Sequence, residues 1–163
     1  MNKQELQNEI NKTKEQLARL QEVLKDEEYK RWQPKHQEKY YIVDTYNEVN
    51  SCRNYTQAVA DKHMKVFNCF QTREEANAEA EKILIRRQLE DIAKRLNKGE
   101  KIDWNNYIQN KFYIDFNKKQ GLSVSETVSW KSQGTVYCLD ANFLDIAIEE
   151  IGKERLLNYL KGE

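Results

Sequence analysis

Leu6, Ile10, Thr13, Leu17, Leu20 and Leu24 recur at alternating steps of four and three residues, and nearly every position between them is charged or an amide. A period of 3.5 residues puts all six on one seam of a helix, the register of a coiled coil. Three heptads make about 31 Å of helix, a length that is marginal in water without a partner. Burying each large apolar seam residue contributes roughly 1.5–3 kcal/mol, a gain open only if the seam packs against something. A second copy is the simplest supply, so the segment predicts a homodimer or higher oligomer. Folding back onto the chain's own strands is the alternative. Thr13 sets a hydroxyl in the seam, which can select register or partner number.

The helical pattern ends at Trp32-Gln33-Pro34, because the residue before proline is pushed to extended geometry. Beyond it, Lys39 to Tyr46 reads as a strand, Tyr55 to Ala60 as a second and Lys65 to Phe70 as a third. Thr72 with Glu75 forms a capping box, and Ile85, Leu89, Ile92 and Leu96 make the apolar stripe of a helix stopped by Gly99. After Asp103-Trp104 a strand alternates, with Phe112, Ile114 and Phe116 on one face and Lys111, Tyr113, Asp115 and Asn117 on the other. A turn over 118–121 leads to a returning strand with Leu122, Val124, Val128 and Trp130, where Glu126 marks an edge. Gly134 precedes a third strand that runs through Leu139. Asp140 or Asn142 then caps a helix bearing Phe143, Leu144, Ala147, Ile148 and Ile151, broken at Gly152 before Leu156, Leu157 and Leu160.

Lys39-Tyr40-Tyr41-Ile42 and Lys111-Phe112-Tyr113-Ile114 open two similar halves. The fold class expected is α+β: an N-terminal coiled-coil helix over 1–31, then two modules of three antiparallel strands plus a helix over 32–99 and 100–163. Whether the halves share one sheet is not encoded locally.

Charge alters the functional picture more than the structural one. The chain has 27 basic and 27 acidic residues, so it lacks the net field that sequence-independent nucleic-acid binders, or nucleic-acid mimics, rely on. Cys52, Cys69 and Cys138 are odd in number and sit in apolar contexts, which fits reduced thiols in a cytosol better than a disulfide framework. No apolar run reaches the ~18 residues of a membrane span, so no membrane partner is expected.

No constellation specifies a reaction. His36 and His63 lack a nucleophile at useful spacing, the cysteines lack Cys-x-x-Cys pairs, and there is no glycine-rich phosphate loop. No cofactor or metal is therefore expected, and the reading is non-enzymatic. Asp103, Asp115, Glu126 and Asp140 are the carboxylates that a metal-dependent nuclease would have to converge. Aromatic and basic residues give the remaining signal. Trp32, Lys35, Lys39, Tyr40, Tyr41, Trp104, Tyr107, Lys111, Tyr113 and Trp130 are candidates for a partner surface, since tryptophan and tyrosine dominate protein interfaces and rings beside lysines also hold single strands.

Three segments together resemble small accessory proteins of phages and prophages of Gram-positive bacteria: Trp32-Gln33-Pro34 with Lys39-Tyr40-Tyr41-Ile42, Asn68-Cys69-Phe70-Gln71-Thr72 with Glu74-Glu75-Ala76, and Ala147 to Leu156. The resemblance implies a coiled-coil helix joined to strand-rich segments, and a phage origin. Where such proteins commonly have glycine before the Asn-x-Phe strand, this chain has Phe67, so the resemblance does not fix the local turn there. By analogy the chain is expected to self-associate and bind a host protein or protein–nucleic-acid complex, for example as an anti-CRISPR-like inhibitor of bacterial defence. The alternatives are a single-stranded nucleic-acid binder contacting through Lys35, Lys39, Tyr40, Lys111 and Tyr113, and the metal-dependent nuclease.

Overall fold

A computed structural model describes residues 3–28 and 32–162. Helix α1 spans Lys3–Glu28, and every side chain described on it is exposed, Ile10, Leu17 and Leu20 included. The side chains of Leu6 and Leu24 lie outside the described residues.

The rest is α+β with two small antiparallel sheets, so the halves do not share one sheet. In the first, β1 (Lys39–Val43) pairs with β2 (Val49–Arg53), Tyr40 opposite Cys52. Asp44 shapes their turn, its Oδ1 accepting from the amides of Tyr46 and Glu48 at 2.9 Å each. The expected second and third strands of this half are corrected. Residues Gln57–Lys65 form helix α2, and strand pairing on the far side of β1 shrinks to a single bridge between Tyr41 and Phe70. The Asn68 side-chain amide extends that bridge, donating to the Val43 carbonyl at 2.6 Å and accepting from the Val43 amide at 2.7 Å. A side chain thus does the work of a missing strand residue.

Helix α3 (Arg73–Leu96) starts at the expected capping box, with Thr72 Oγ1 accepting from the Glu75 amide and Glu75 accepting from the Thr72 amide, both at 3.1 Å. Its stripe of Ile85, Leu89 and Ile92 is buried. The second sheet has the order β4-β3-β5, built from β3 (Lys111–Asn117), β4 (Gly121–Thr127) and the short β5 (Tyr137–Cys138). Glu126 is exposed on β4, an edge strand as expected. Helices α4 (Phe143–Ile151) and α5 (Lys153–Lys161) flank Gly152, whose φ of +98° is a glycine conformation that ends the first of them.

Helix α3 packs on β1 and β2 and also on β5, α4 and α5. A core of Ile85, Leu89, Ile92, Ile114, Phe143, Ala147, Ile151 and Leu156 joins it to the second sheet and the last two helices. Arg155 with Glu81 at 2.6 Å, and Arg95 with Glu150, link α3 to the C-terminal helices at the surface.

Candidate partner-binding surface

The alternation in β3 placed Lys111 on a solvent face, yet its side chain is fully buried. Its ammonium Nζ donates to three backbone carbonyls: Asn106 at 2.9 Å, Gln109 at 2.7 Å and Val128 at 2.9 Å. These use all three ammonium donors, the condition under which a buried lysine is tolerable. The Trp104 ring centroid lies 5.5 Å from the same nitrogen, and Lys131 Nζ lies 5.5 Å from that ring. Trp104 meets Tyr137 edge-on at 4.9 Å, and Tyr137 stands 5.5 Å from Tyr113. Lys111, Trp104 and Tyr113 therefore build an internal support rather than a contact face.

That support fastens two loops. In the first, the Asp103 and Asn106 side chains cap tight turns by accepting from Asn105 and Ile108 amides, while Gln109 accepts from the Asp103 amide at 2.8 Å. In the second, Thr127 Oγ1 accepts from the Trp130 amide at 3.0 Å and the Tyr137 hydroxyl accepts from the Ser132 amide at 2.7 Å. Lys111 ties the first loop, through Asn106 and Gln109, to the second, through Val128. The loops present Tyr107 at 70%, Ile108 at 91% and Trp130 at 61% exposure. Tyr107 and Trp130 were expected at a partner surface. Ile108 was not singled out, because a lone isoleucine among polar residues carries no periodic signal.

The remaining candidates disperse. Tyr40 is fully buried, its hydroxyl sharing a hydrogen bond with His63 Nδ1 at 2.9 Å, so it offers no contact surface. Burial pushes its phenol up to about 12, with the nearby Cys52 and Cys69 thiols adding to the effect. Lys39 is exposed, with its ammonium 5.1 Å from the ring of half-buried Tyr41. Trp32 is half-buried, and Lys35 is exposed with its amide donating to Glu38 at 2.7 Å. The first half instead exposes Tyr46, Tyr55, Val66 and Phe67. Phe67 adopts the left-handed φ of +58°, a backbone conformation that favours glycine.

The acidic residues do not converge. Asp103, Asp115 and Asp140 accept from backbone amides of their own turns or strand, and among the described residues no three His, Cys, Asp or Glu side chains are placed to hold a metal ion. No helix among them is long and apolar enough to cross a membrane. The chain matches no protein-family model, no curated protein and no solved structure.

Proposed function

We propose that the chain is a non-enzymatic accessory protein of a phage or prophage, self-associating through α1 and engaging a host protein or protein–nucleic-acid complex through the Tyr107, Ile108 and Trp130 surface. Inhibition of a bacterial defence system is the specific role. The observation that carries the reading is the Lys111 support: a buried ammonium and its aromatic neighbours hold two loops whose tips expose three large apolar side chains. A fixed aromatic anchor loses little freedom on binding, so its desolvation contributes to affinity nearly in full. The exposure of Ile10, Leu17 and Leu20 supports the oligomer, since among the described residues nothing covers these seam side chains. A protein partner is favoured over a single strand, because Lys111 and Tyr40, two of the five proposed phosphate and base contacts, are buried.

The test has two arms. Light scattering after size exclusion should give an oligomer for the full chain and monomers for a chain beginning at Trp32 and for Leu17→Glu with Leu20→Glu. Plaque counts on a defended bacterial host should rise when the chain is expressed and return to baseline with Tyr107→Ala and Trp130→Ala. Three monomers would remove self-association, and plaque counts indifferent to the loop variants would remove the surface.

A further inference from the structure

We infer that α1 pairs with α1 of a second copy as a parallel, in-register, two-stranded coiled coil. This rests on the self-association proposed above and adds direction, register and strand number. The seam places Ile10, Leu17 and Leu24 at heptad position a and Leu6, Thr13 and Leu20 at d, which puts Glu9 at g and Lys14 at e. Both are exposed and, with Ile10, Thr13 and Leu17, line one shallow depression along the helix, an acid on one bank and a base on the other.

In a parallel pair a g side chain reaches the e side chain five positions further along its neighbour. Glu9 then meets the partner's Lys14, and Lys14 meets the partner's Glu9. The antiparallel alternative that layers the same residues sets Ile10 against the partner's Leu20 and Thr13 against the partner's Leu17. It would bring Lys14 against the partner's Lys14, and like charges there repel. Of the other flanking positions Gln7, Gln16 and Gln21 are amides, Val23 is apolar and Glu28 lies beyond the last seam residue, so Glu9 and Lys14 set the electrostatic preference.

Thr13 is compatible with this layer. Its hydroxyl donates to the Glu9 carbonyl of its own helix at 2.9 Å, leaving no unpaired donor to bury when the seam closes. Ile10 is the one β-branched residue among the three a positions, and with leucine at d in Leu6 and Leu20 it favours two strands over three. A parallel pair lets both chains continue from the same end of the stalk, so two Tyr107, Ile108 and Trp130 surfaces can engage one bivalent target.

Disulfide trapping in the full chain tests the inference. Thr13→Cys and a size-tagged Leu17→Cys are oxidised in glutathione buffer, singly and mixed, beside the unsubstituted chain, whose three thiols are buried or half-buried. Both substitutions fall at exposed helix positions and leave the fold intact. The expected result is a mass of twice 19.5 kDa, self-cross-linking of each variant alone, and no mixed cross-link. A mixed cross-link, without self-cross-links, would overturn the parallel register while keeping the dimer, and a trimer mass would overturn the strand number. A monomer would overturn both this inference and the self-association beneath it. Glu9→Lys should raise the dimer dissociation constant about tenfold, with Lys14→Glu added to it restoring the starting value; an unchanged constant for Glu9→Lys would also overturn the register.

Discussion

Lys39 and Lys111 begin the same motif, a lysine followed by an aromatic residue, a tyrosine and an isoleucine, yet one is in water and the other fully buried. In the first half the aromatic residue goes inside: Tyr40 is buried against His63 and the Cys52 and Cys69 thiols, while Lys39 lies over Tyr41. In the second half the lysine goes inside, because the carbonyls of Asn106, Gln109 and Val128 surround the place where its ammonium arrives. Phe112 stays only half-buried. A side chain's fate is set by the acceptors that the loops bring to it, and the two halves have different loops.

The left-handed position before the segment that pairs beside the opening strand makes the same contrast. Phe67 stands three residues before Phe70, which pairs with Tyr41, and Gly134 stands three before Tyr137, which pairs with Tyr113. Both have positive φ, +58° and +83°. The geometry is common to both halves, but only the second meets it with a residue that adopts it without strain.

The contrast can be broken most directly at the two lysines. Lys111→Met leaves three carbonyls without their donor and should lower unfolding stability by about 2–4 kcal/mol in urea titrations, against within about 0.5 kcal/mol for Lys39→Met. Equal effects would mean that the carbonyl cage contributes nothing specific. Gly134→Ala, forced into the left-handed region, should cost about 1 kcal/mol by the same titration, whereas Phe67→Gly should gain about 0.5–1 kcal/mol. A loss at Phe67 would show that the ring's contacts outweigh the strain.

Tyr40 sharpens the comparison through pH. Its folded-state value of about 12 lies above its ordinary 10.0, so above pH 10 the unfolded chain gives up a proton that the folded one keeps. Stability from this group is complete below pH 10 and is lost as pH rises toward 12. Tyr40→Phe makes the first half resemble the second at this position. It should lose about 1 kcal/mol at neutral pH with the His63 hydrogen bond and show a shallower decline of unfolding midpoint between pH 10 and 12. Parallel declines for the two chains would remove Tyr40 as the source. Tyr107→Ala, like Lys39→Met, should change stability by no more than about 0.5 kcal/mol, since an exposed loop tip supports nothing beneath it.

Much of the fold is legible in the chain. The capping box of Thr72 and Glu75, the Ile85, Leu89 and Ile92 stripe, the hairpin of β3 and β4, and the break at Gly152 all appear where local pattern put them. The misreading of 55–70 has a physical cause. Helix α2 buries only Ala60 among its described residues, so its sequence offers no apolar stripe, its N-cap Thr56 makes no side-chain capping bond, and Tyr55 and Val59 lend the segment strand character. The candidate surface was half legible. Tyr107 and Trp130 stood out by residue type, but Lys111 read as a surface charge because strand alternation does not show how the loop turns the Asn106 and Gln109 carbonyls toward it, and Val128 lies far along the chain.

What the sequence determined by itself is whatever depends on residues within a turn or two of one another: the heptad period, helix starts and ends, strand alternation and the repeated opening motif. Only the tertiary structure decided that the halves form two sheets joined by α3, that Lys111 lies inside and Lys39 outside, and that Ile108 is bare. Those outcomes turn on burial and on hydrogen-bond acceptors supplied across the fold. A lysine carries the same charge and the same three donors in either setting, and its neighbours in space decide which setting it meets.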